Sequence, residues 1–559
     1  MKRADTVLPP TKESPTATIK RVLPKYEWNF KKCEVALNIG VFFDGTNNNK
    51  DRDSPKLSDT NISRLHDSYN GDKVLGYNRI YIPGAGTKFP DIGELGESKF
   101  GSGCAFGCEG RAIFGLLEVF NALHRHSYKV NLFNKGTILA LCRNSINVTD
   151  SEDRDHLAKL GIYYGLLQTS TDSDRNRRDF LKRQASFLEE KLKNGKPRVV
   201  ECFIDVFGFS RGAAQARVFC HWLDELLVDG RLAGVPIRFR FVGIMDTVAS
   251  AGFWSSMSAM LSNSTGWHGA WASGEALRLP ASVENCVHMV AMHELRRNFP
   301  SDEISVDSKL QPGWIQLAYP GAHSDVGGGY EPGELGIATG DDSRKLSQIP
   351  LNHMLDCAMA AGAPMTRPQP PSGSYNAFAI HPDLTKAYAA FISEATTAAR
   401  PMYEWLQLYI NWRWQVRQHF HTTSQVKQAS QAEKKILLAF NDSLINDAAA
   451  MTRSAALGIG MRTIAAVSDI FYAGARKDLL TTVALEPEAR EVFALAQRAK
   501  PTPSAFAALF DGYVHDSLAG FNSPSLELTG YWRYRRVFLG SDGHTLAANQ
   551  DADAARSIA

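Results

Sequence analysis

Val199-Val200-Glu201-Cys202-Phe203-Ile204-Asp205-Val206-Phe207-Gly208-Phe209-Ser210-Arg211-Gly212-Ala213 is the stretch whose reading decides the fold. Its first nine residues are rich in β-branched and aromatic side chains and read as a buried strand. Gly208-Phe209-Ser210-Arg211-Gly212 follows as a match to G-x-S-x-G, and Ala213–Leu227 then carries Ala, Val, Phe, Trp and Leu at helical spacing. Strand, tight turn and helix are the setting of a nucleophile elbow. Gly208 and Gly212 let the backbone turn sharply and let the helix lie close to the strand, which lifts Ser210 above the strand's carboxyl end. The N–H of Arg211, at the helix N-terminus, then faces the place where an oxyanion would form. The plainer alternative is a strand-to-helix turn with a capping serine.

Working outward, Val35–Phe43 reads as another buried strand and runs into Asp44-Gly45-Thr46-Asn47-Asn48-Asn49. Ligands of open α/β sheets bind at the carboxyl edge of the strands. The N–H of Gly45 or Thr46 is therefore the candidate second oxyanion donor, with Asp44 bordering the site, while a simple Asp-Gly turn is the alternative. Ile237–Met245 reads as a strand that delivers Asp246 at its carboxyl end, where a hydrolase places the acid that orients its histidine. A helix N-cap is the other reading of Asp246. Trp314–Tyr319 reads as a strand leading to Pro320-Gly321-Ala322-His323-Ser324-Asp325, so His323 comes third in the order Ser, Asp, His. His293, after the expected strand Cys286–Met292, is the competing base. Asp205, Asp224 and Asp325 are competing acids, and Asp325 is also a candidate local orienter. Arg79–Ile82 and Lys129–Leu141 are further strand candidates. Gly101–Gly110 reads as a glycine-rich loop before a helix over Ala112–His124, without the Gly-Lys-Ser/Thr ending of a phosphate-binding loop.

These elements predict an α/β fold: a mostly parallel, α/β-hydrolase-like sheet with helices on both faces. The catalytic domain is expected over 31–365, with a charged insertion at 150–194 and a lid or lipid-contacting loop at 250–271. Residues 1–30, rich in Lys, Pro and Thr, read as a flexible arm or a docking segment. Residues 366–559 read as a mainly helical accessory region. Within it, Tyr403–Phe420 mixes Trp and Arg in a pattern that suits either a membrane interface or a packed core. Asp511–Ser517 contains the adjacent pair His515-Asp516, read as bordering the site or bracing two domains.

A hydrophobic content of 44% and a charged content of 22% are those of a globular protein, and a formal net charge of +3 over 559 residues gives no support to nucleic-acid binding through bulk charge. The eight cysteines are scattered. Cys104 and Cys108 are close enough to pair or to bind a metal, but no second pair completes a zinc site, so neither metal nor cofactor is expected. Met1–Pro10 lacks the apolar core of a Sec-type signal peptide. Synthesis in the cytoplasm is expected, and if the protein acts elsewhere another machine must carry it.

Phe42-Phe43-Asp44-Gly45-Thr46-Asn47-Asn48, Gly208–Ala213, Asp246-Thr247-Val248 and His323–Tyr330 together resemble the signatures of the phospholipase effectors of the bacterial type VI secretion system, in the lipase-effector class that uses G-x-S-x-G. The resemblance spans roughly Val35 to Tyr330. It implies Ser210 as nucleophile, Asp246 as orienting acid and His323 as general base of a phospholipase A. It also implies delivery on the secretion spike protein to the target-cell periplasm, and a cognate immunity protein in the producing cell. A soluble carboxylesterase, or a non-catalytic binding protein on the same scaffold, are the alternatives.

Overall fold

A computed structural model describes residues 7–8, 11–26, 33–97, 103–143, 151–163, 170–249, 275–296, 299–305, 309–371, 373–395, 400–454, 487–520 and 530–538. The expected lid at 250–271 lies outside the described residues, as does 455–486.

Six parallel strands form the centre: β1 (Glu34–Phe43), β2 (Tyr77–Ile82), β3 (Arg198–Phe209), β4 (Val235–Met245), β5 (Cys286–Ala291) and β6 (Trp314–Tyr319). They lie in the order β2-β1-β3-β4-β5-β6, and the short strand Arg231–Leu232 pairs antiparallel with β4. The chain steps outward from β1 to β2, then crosses back to β3 and proceeds the other way. Order therefore reverses between β1 and β3, the place where open α/β sheets form a crevice at their carboxyl ends. All six of these strands were expected from β-rich runs, with limits that differ by at most two residues at either end. Lys129–Leu141 is not a strand: it contributes to helix α3 (Lys135–Arg143), whose first turn is held by the Asn134 side chain accepting from Thr137 N at 2.9 Å. An N-cap asparagine decided what a short apolar run left open.

Side chains alternate across the strands and feed two cores. Leu37, Ile39, Val41 and Phe43 of β1 join Cys202, Ile204 and Val206 of β3 on one face, under α2 (Gly103–Tyr128) and α5 (Arg211–Asp224). Phe42, Phe207, Phe209 and Met245 point to the other face, under α1 (Asn61–Ser68) and α7 (Gln348–Ala361). The glycine-rich segment before residue 112 is not a loop, since α2 already begins at Gly103. Its glycines serve close packing, because a Cβ on Gly110 would lie 2.5 Å from the Cys142 carbonyl oxygen of α3.

The helices beyond residue 365 continue the second core. Helices α8 (Pro382–Ala395), α9 (Met402–Val416) and α12 (Ser504–Tyr513) share one apolar cluster with the sheet, through Phe391, Trp405, Tyr409 and Phe510. The Trp- and Arg-bearing segment at 403–420 is thus core-packed. Trp405, Tyr409 and Trp412 are buried, and Arg413 sits with its guanidinium 3.7 Å from the Phe420 ring centroid. No helix among the described residues is long and apolar enough to cross a membrane.

The expected flexible arm is held down where it is described. Val7–Leu8 pairs with Arg400–Pro401. Lys20 exchanges two hydrogen bonds with the Asn285 side chain, at 2.8 and 2.9 Å, near the amino end of β5. The arm therefore runs along the end of the sheet away from Ser210.

Candidate functional site

Ser210 follows β3 directly and precedes α5, as the elbow requires. Its φ of +59° lies in the left-handed region, which a non-glycine residue enters only when its surroundings compel it. Those surroundings are visible. A Cβ on Gly208 would lie 2.6 Å from the Gly212 carbonyl oxygen, and one on Gly212 would lie 2.3 Å from the carbonyl oxygens of both Phe43 and Asp44. The two glycines thus let α5 start against the end of β1. Ser210 makes no side-chain cap hydrogen bond, so its hydroxyl is not spent on the helix.

The backbone of Ser210 is tied to the loop that carries Asp246. Ser210 N donates to Met245 O at 3.0 Å, and Val248 N donates to Ser210 O at 3.2 Å. Asp246 also has a positive φ, +45°. Its Oδ2 lies 2.5 Å from His323 Nδ1, and its Oδ1 accepts from Ala291 N at 2.9 Å. His323 opens the short helix α6 (His323–Gly327) past the end of β6. Gly327 presses α6 onto Phe209, since a Cβ there would overlap the Phe209 ring at 2.0 Å. The imidazole lies 4.5 Å, centroid to centroid, from Phe209 and 4.8 Å from Phe299. The residue before the nucleophile therefore supports the histidine. His323 Nε2 is buried and has no hydrogen-bond partner among the described residues, the Ser210 hydroxyl included. Such bonds commonly tighten only when substrate is bound.

Burial lowers the pKa of His323, while its bond to Asp246 raises it in part. The Asp246 carboxyl is pushed up by burial but held well below the usual range by Arg535, with His323 adding to the effect. Arg535 reaches both carboxylate oxygens at 2.7 Å. Glu294 accepts from His323 N at 3.1 Å and binds Arg296 through both its oxygens at 2.9 Å. Burial raises the Glu294 pKa, and Arg296 more than reverses this, bringing it to about 2.

The competing residues have other partners. His293 Nδ1 accepts from Gly321 N at 2.9 Å, the ring packs against Tyr409 and Phe510, and burial lowers its pKa to about 3. Asp205 lies within β3, bound by Arg240 at 2.9 and 2.5 Å and by the Tyr69 hydroxyl at 2.8 Å. Asp224 accepts from the Ser282 hydroxyl at 2.7 Å at the far end of α5. Asp325 binds His515 rather than His323: its Oδ1 is 2.6 Å from His515 Nδ1, and its Oδ2 accepts from Ala322 N at 2.9 Å and His515 N at 3.0 Å. A second Asp–His pair thus clamps the loop that carries His323 to the C-terminal region.

On the oxyanion side, Gly45 N donates to Asp44 Oδ1 at 2.7 Å. Its N–H is taken by the neighbouring carboxylate, which removes Gly45 as a donor and leaves Thr46 and Arg211. Asp44 is buried and also accepts from the hydroxyls of Thr60 at 2.5 Å and Tyr81 at 2.6 Å. Burial raises its pKa to about 6, partly offset by these bonds. Sequence reasoning missed Arg535, Glu294 and Phe299. No spacing pointed to them, for Arg535 stands 289 positions after its partner.

The arrangement defines an α/β protein of hydrolase-like architecture, with a serine, an aspartate and a histidine at the carboxyl edge of a mostly parallel sheet. Residues 229–357 match the catalytic domain of the Tle1-like phospholipase effectors of the type VI secretion system, a span that contains Asp246 and His323. The chain is also similar in structure to a crystal structure of an uncharacterized protein from Pseudomonas aeruginosa, with a TM-score of 0.67 and 26% identity over 91% of this chain and 80% of the other. A likeness to the Tle1 effector bound to the VgrG spike has a TM-score of 0.26 and 22% identity, over 54% of this chain and 52% of that one. No curated protein matches the sequence.

Proposed function

We propose that the chain is a type VI secretion phospholipase effector that cleaves acyl esters of glycerophospholipids, a phospholipase A acting through Ser210, His323 and Asp246. One arrangement carries this: the Asp246–His323 pair at 2.5 Å beside the left-handed Ser210 turn, with the acid and the histidine inside the span that matches the effector catalytic domain.

In this mechanism Ser210 Oγ attacks the ester carbonyl carbon while its proton passes to His323 Nε2. Asp246 keeps Nδ1 protonated and stabilises the imidazolium. The N–H groups of Arg211 and Thr46 receive the oxyanion, and the helix N-terminus adds its partial positive charge. Collapse breaks the ester C–O bond, and His323 returns the proton to the departing lysophospholipid oxygen. Water then attacks the acyl-enzyme by the same route, freeing fatty acid and Ser210. The accompanying partners are a spike protein as carrier and an immunity protein as protector, with the target-cell periplasm as the place of action.

The test is release of fatty acid and lysophospholipid from phosphatidylethanolamine and phosphatidylglycerol vesicles. Ser210→Ala should fold normally and lose at least about a thousandfold in turnover. Full activity in that variant would overturn the proposal. Hydrolysis of water-soluble esters with no action on vesicles would favour the carboxylesterase instead.

A further inference from the structure

We infer that Arg535 is a positioning residue of the hydrolytic site: from the C-terminal segment it holds the Asp246 carboxylate in the orientation His323 needs. This rests on the Ser210–His323–Asp246 reading above.

The contact is a two-point fork. Nη1 donates to Oδ1 and Nη2 to Oδ2 of Asp246, both at 2.7 Å, and the Arg535 side chain is 1% exposed. A planar guanidinium bound at two points fixes the plane of a carboxylate as well as its place. The rest of the guanidinium is fixed in turn. Nε donates to Phe299 O at 2.6 Å, and Nη1 reaches Ala291 O at 3.3 Å, in the same residue whose N–H binds Asp246 Oδ1. All four acceptor positions of Asp246 are therefore filled: two by Arg535, one by Ala291 N and one by His323. The carboxylate cannot turn away from the imidazole without breaking a buried bond.

The segment that brings Arg535 is itself anchored to the site. Val537–Phe538 pairs parallel with Ser301–Asp302. Ser301 N donates to Arg536 O at 2.9 Å, and Asp302 N donates to Thr247 O at 3.0 Å, one residue past Asp246. On the other side Trp532 is buried against Trp414 and Phe493.

Charge gives the contact a second consequence. The groups facing His323 are Asp246 on its Nδ1, Glu294 on its backbone N–H, Arg296 paired with Glu294, and the rings of Phe209 and Phe299. Arg535 lies behind Asp246, as does His288 of β5, bonded to Thr247 and Gln316. By sharing the carboxylate, Arg535 tempers its pull on the imidazolium. Removing the guanidinium strengthens that pull, so His323 should hold its proton to higher pH.

The experiment measures hydrolysis of a p-nitrophenyl ester by the full chain across pH, in the wild type, Ser210→Ala, Arg535→Gln, Arg535→Lys, Asp246→Asn and the double variant Asp246→Asn/Arg535→Gln. Near-ultraviolet circular dichroism checks folding. Arg535→Gln should lower kcat about tenfold to a hundredfold with KM nearly unchanged, as expected for a misplaced catalytic group. The acid limb of its kcat/KM profile should move to higher pH. With Asp246 already replaced, adding Arg535→Gln should change kcat by less than about twofold, because Arg535 acts through that carboxylate. Arg535→Lys, which keeps the charge and loses the fork, should recover only part of the rate. Wild-type kcat and pH profile in Arg535→Gln would overturn the inference, and so would an equal loss in both backgrounds. Should Arg535→Gln fail to fold, Arg535→Lys decides: a kcat loss without a KM change supports the role, and wild-type kcat ends it. Activity abolished by Ser210→Ala but untouched at Arg535 would sink this inference alone. Activity that survives Ser210→Ala would remove the hydrolytic reading, and this role with it.

Discussion

Asp246 and His323 meet at 2.5 Å in a buried site, and the proposed chemistry rests on that contact. Replacing Asp246 with Asn keeps the shape but lets Nδ1 lose its proton to the wrong tautomer, and kcat should fall by about 10⁴. Steady-state kinetics on a soluble ester checks this, and a loss below tenfold would count against Asp246 as the acid. A base must be neutral to act, and burial holds His323 below the ordinary imidazole value of 6.5. The rate should therefore rise with pH and reach its half-maximum below pH 6.5, read from kcat/KM across pH 4.5 to 8. Three roles were legible from residue type and order alone, those of Ser210, Asp246 and His323 as candidates. The rejection of His293 and Asp325 was not. Asp325 stands two residues from His323 and His293 also follows a strand end, and only the direction each side chain takes, toward Gly321 N for His293 and His515 for Asp325, separates them from the Asp246–His323 pair.

At the scale of elements, the contact between α5 and the end of β1 matters most. Gly212 is where the helix approaches two carbonyl oxygens, so Gly212→Ala must push α5 away from the sheet. A loss of about 1–3 kcal/mol is expected from such overpacking, with a clear fall in thermal midpoint. Activity should fall further than stability, because Arg211 N and Ser210 ride on the same turn. Unchanged melting and turnover would contradict the packing account. Strands were readable because β-branched runs buried on both faces have few other uses. The misread elements have local causes. Lys129–Leu141 was ambiguous in period and was settled by the Asn134 cap, while the glycines near residue 110 mark close helix packing rather than a loop.

Across the whole molecule, the C-terminal helices and the sheet share one apolar core. They also share the site, through Arg535 on Asp246, His515 on Asp325, and Ser517 Oγ accepting from Leu295 N at 3.0 Å. Denaturant should therefore abolish ester hydrolysis and the near-ultraviolet aromatic signal at the same midpoint. An aromatic signal lost in a separate, earlier step would show an independent accessory domain. Acid should weaken the fold as a whole. Burial lowers His288 to about 4 and His293 to about 3, so between these values and 6.5 the unfolded chain binds more protons and stability falls as pH falls. Asp44, raised to about 6, works the other way between 3.8 and 6, but His353, also lowered to about 4 by burial, acts with His288 and His293. The thermal midpoint should drop steadily from pH 7 to pH 5, and a rise over that range would refute this balance.

The sequence by itself determined the parallel sheet, the elbow and the order Ser, Asp, His. Those depend on local runs: strand composition, glycines flanking a serine, and polar residues at strand ends. Only the tertiary structure decided which acid meets which histidine, that Gly45 is spent on Asp44, that the Trp-bearing helix is core, and that Arg535 binds both oxygens of Asp246. Each of these depends on side chains brought together from distant positions, and burial makes such pairings costly to leave unsatisfied without writing them into any local pattern.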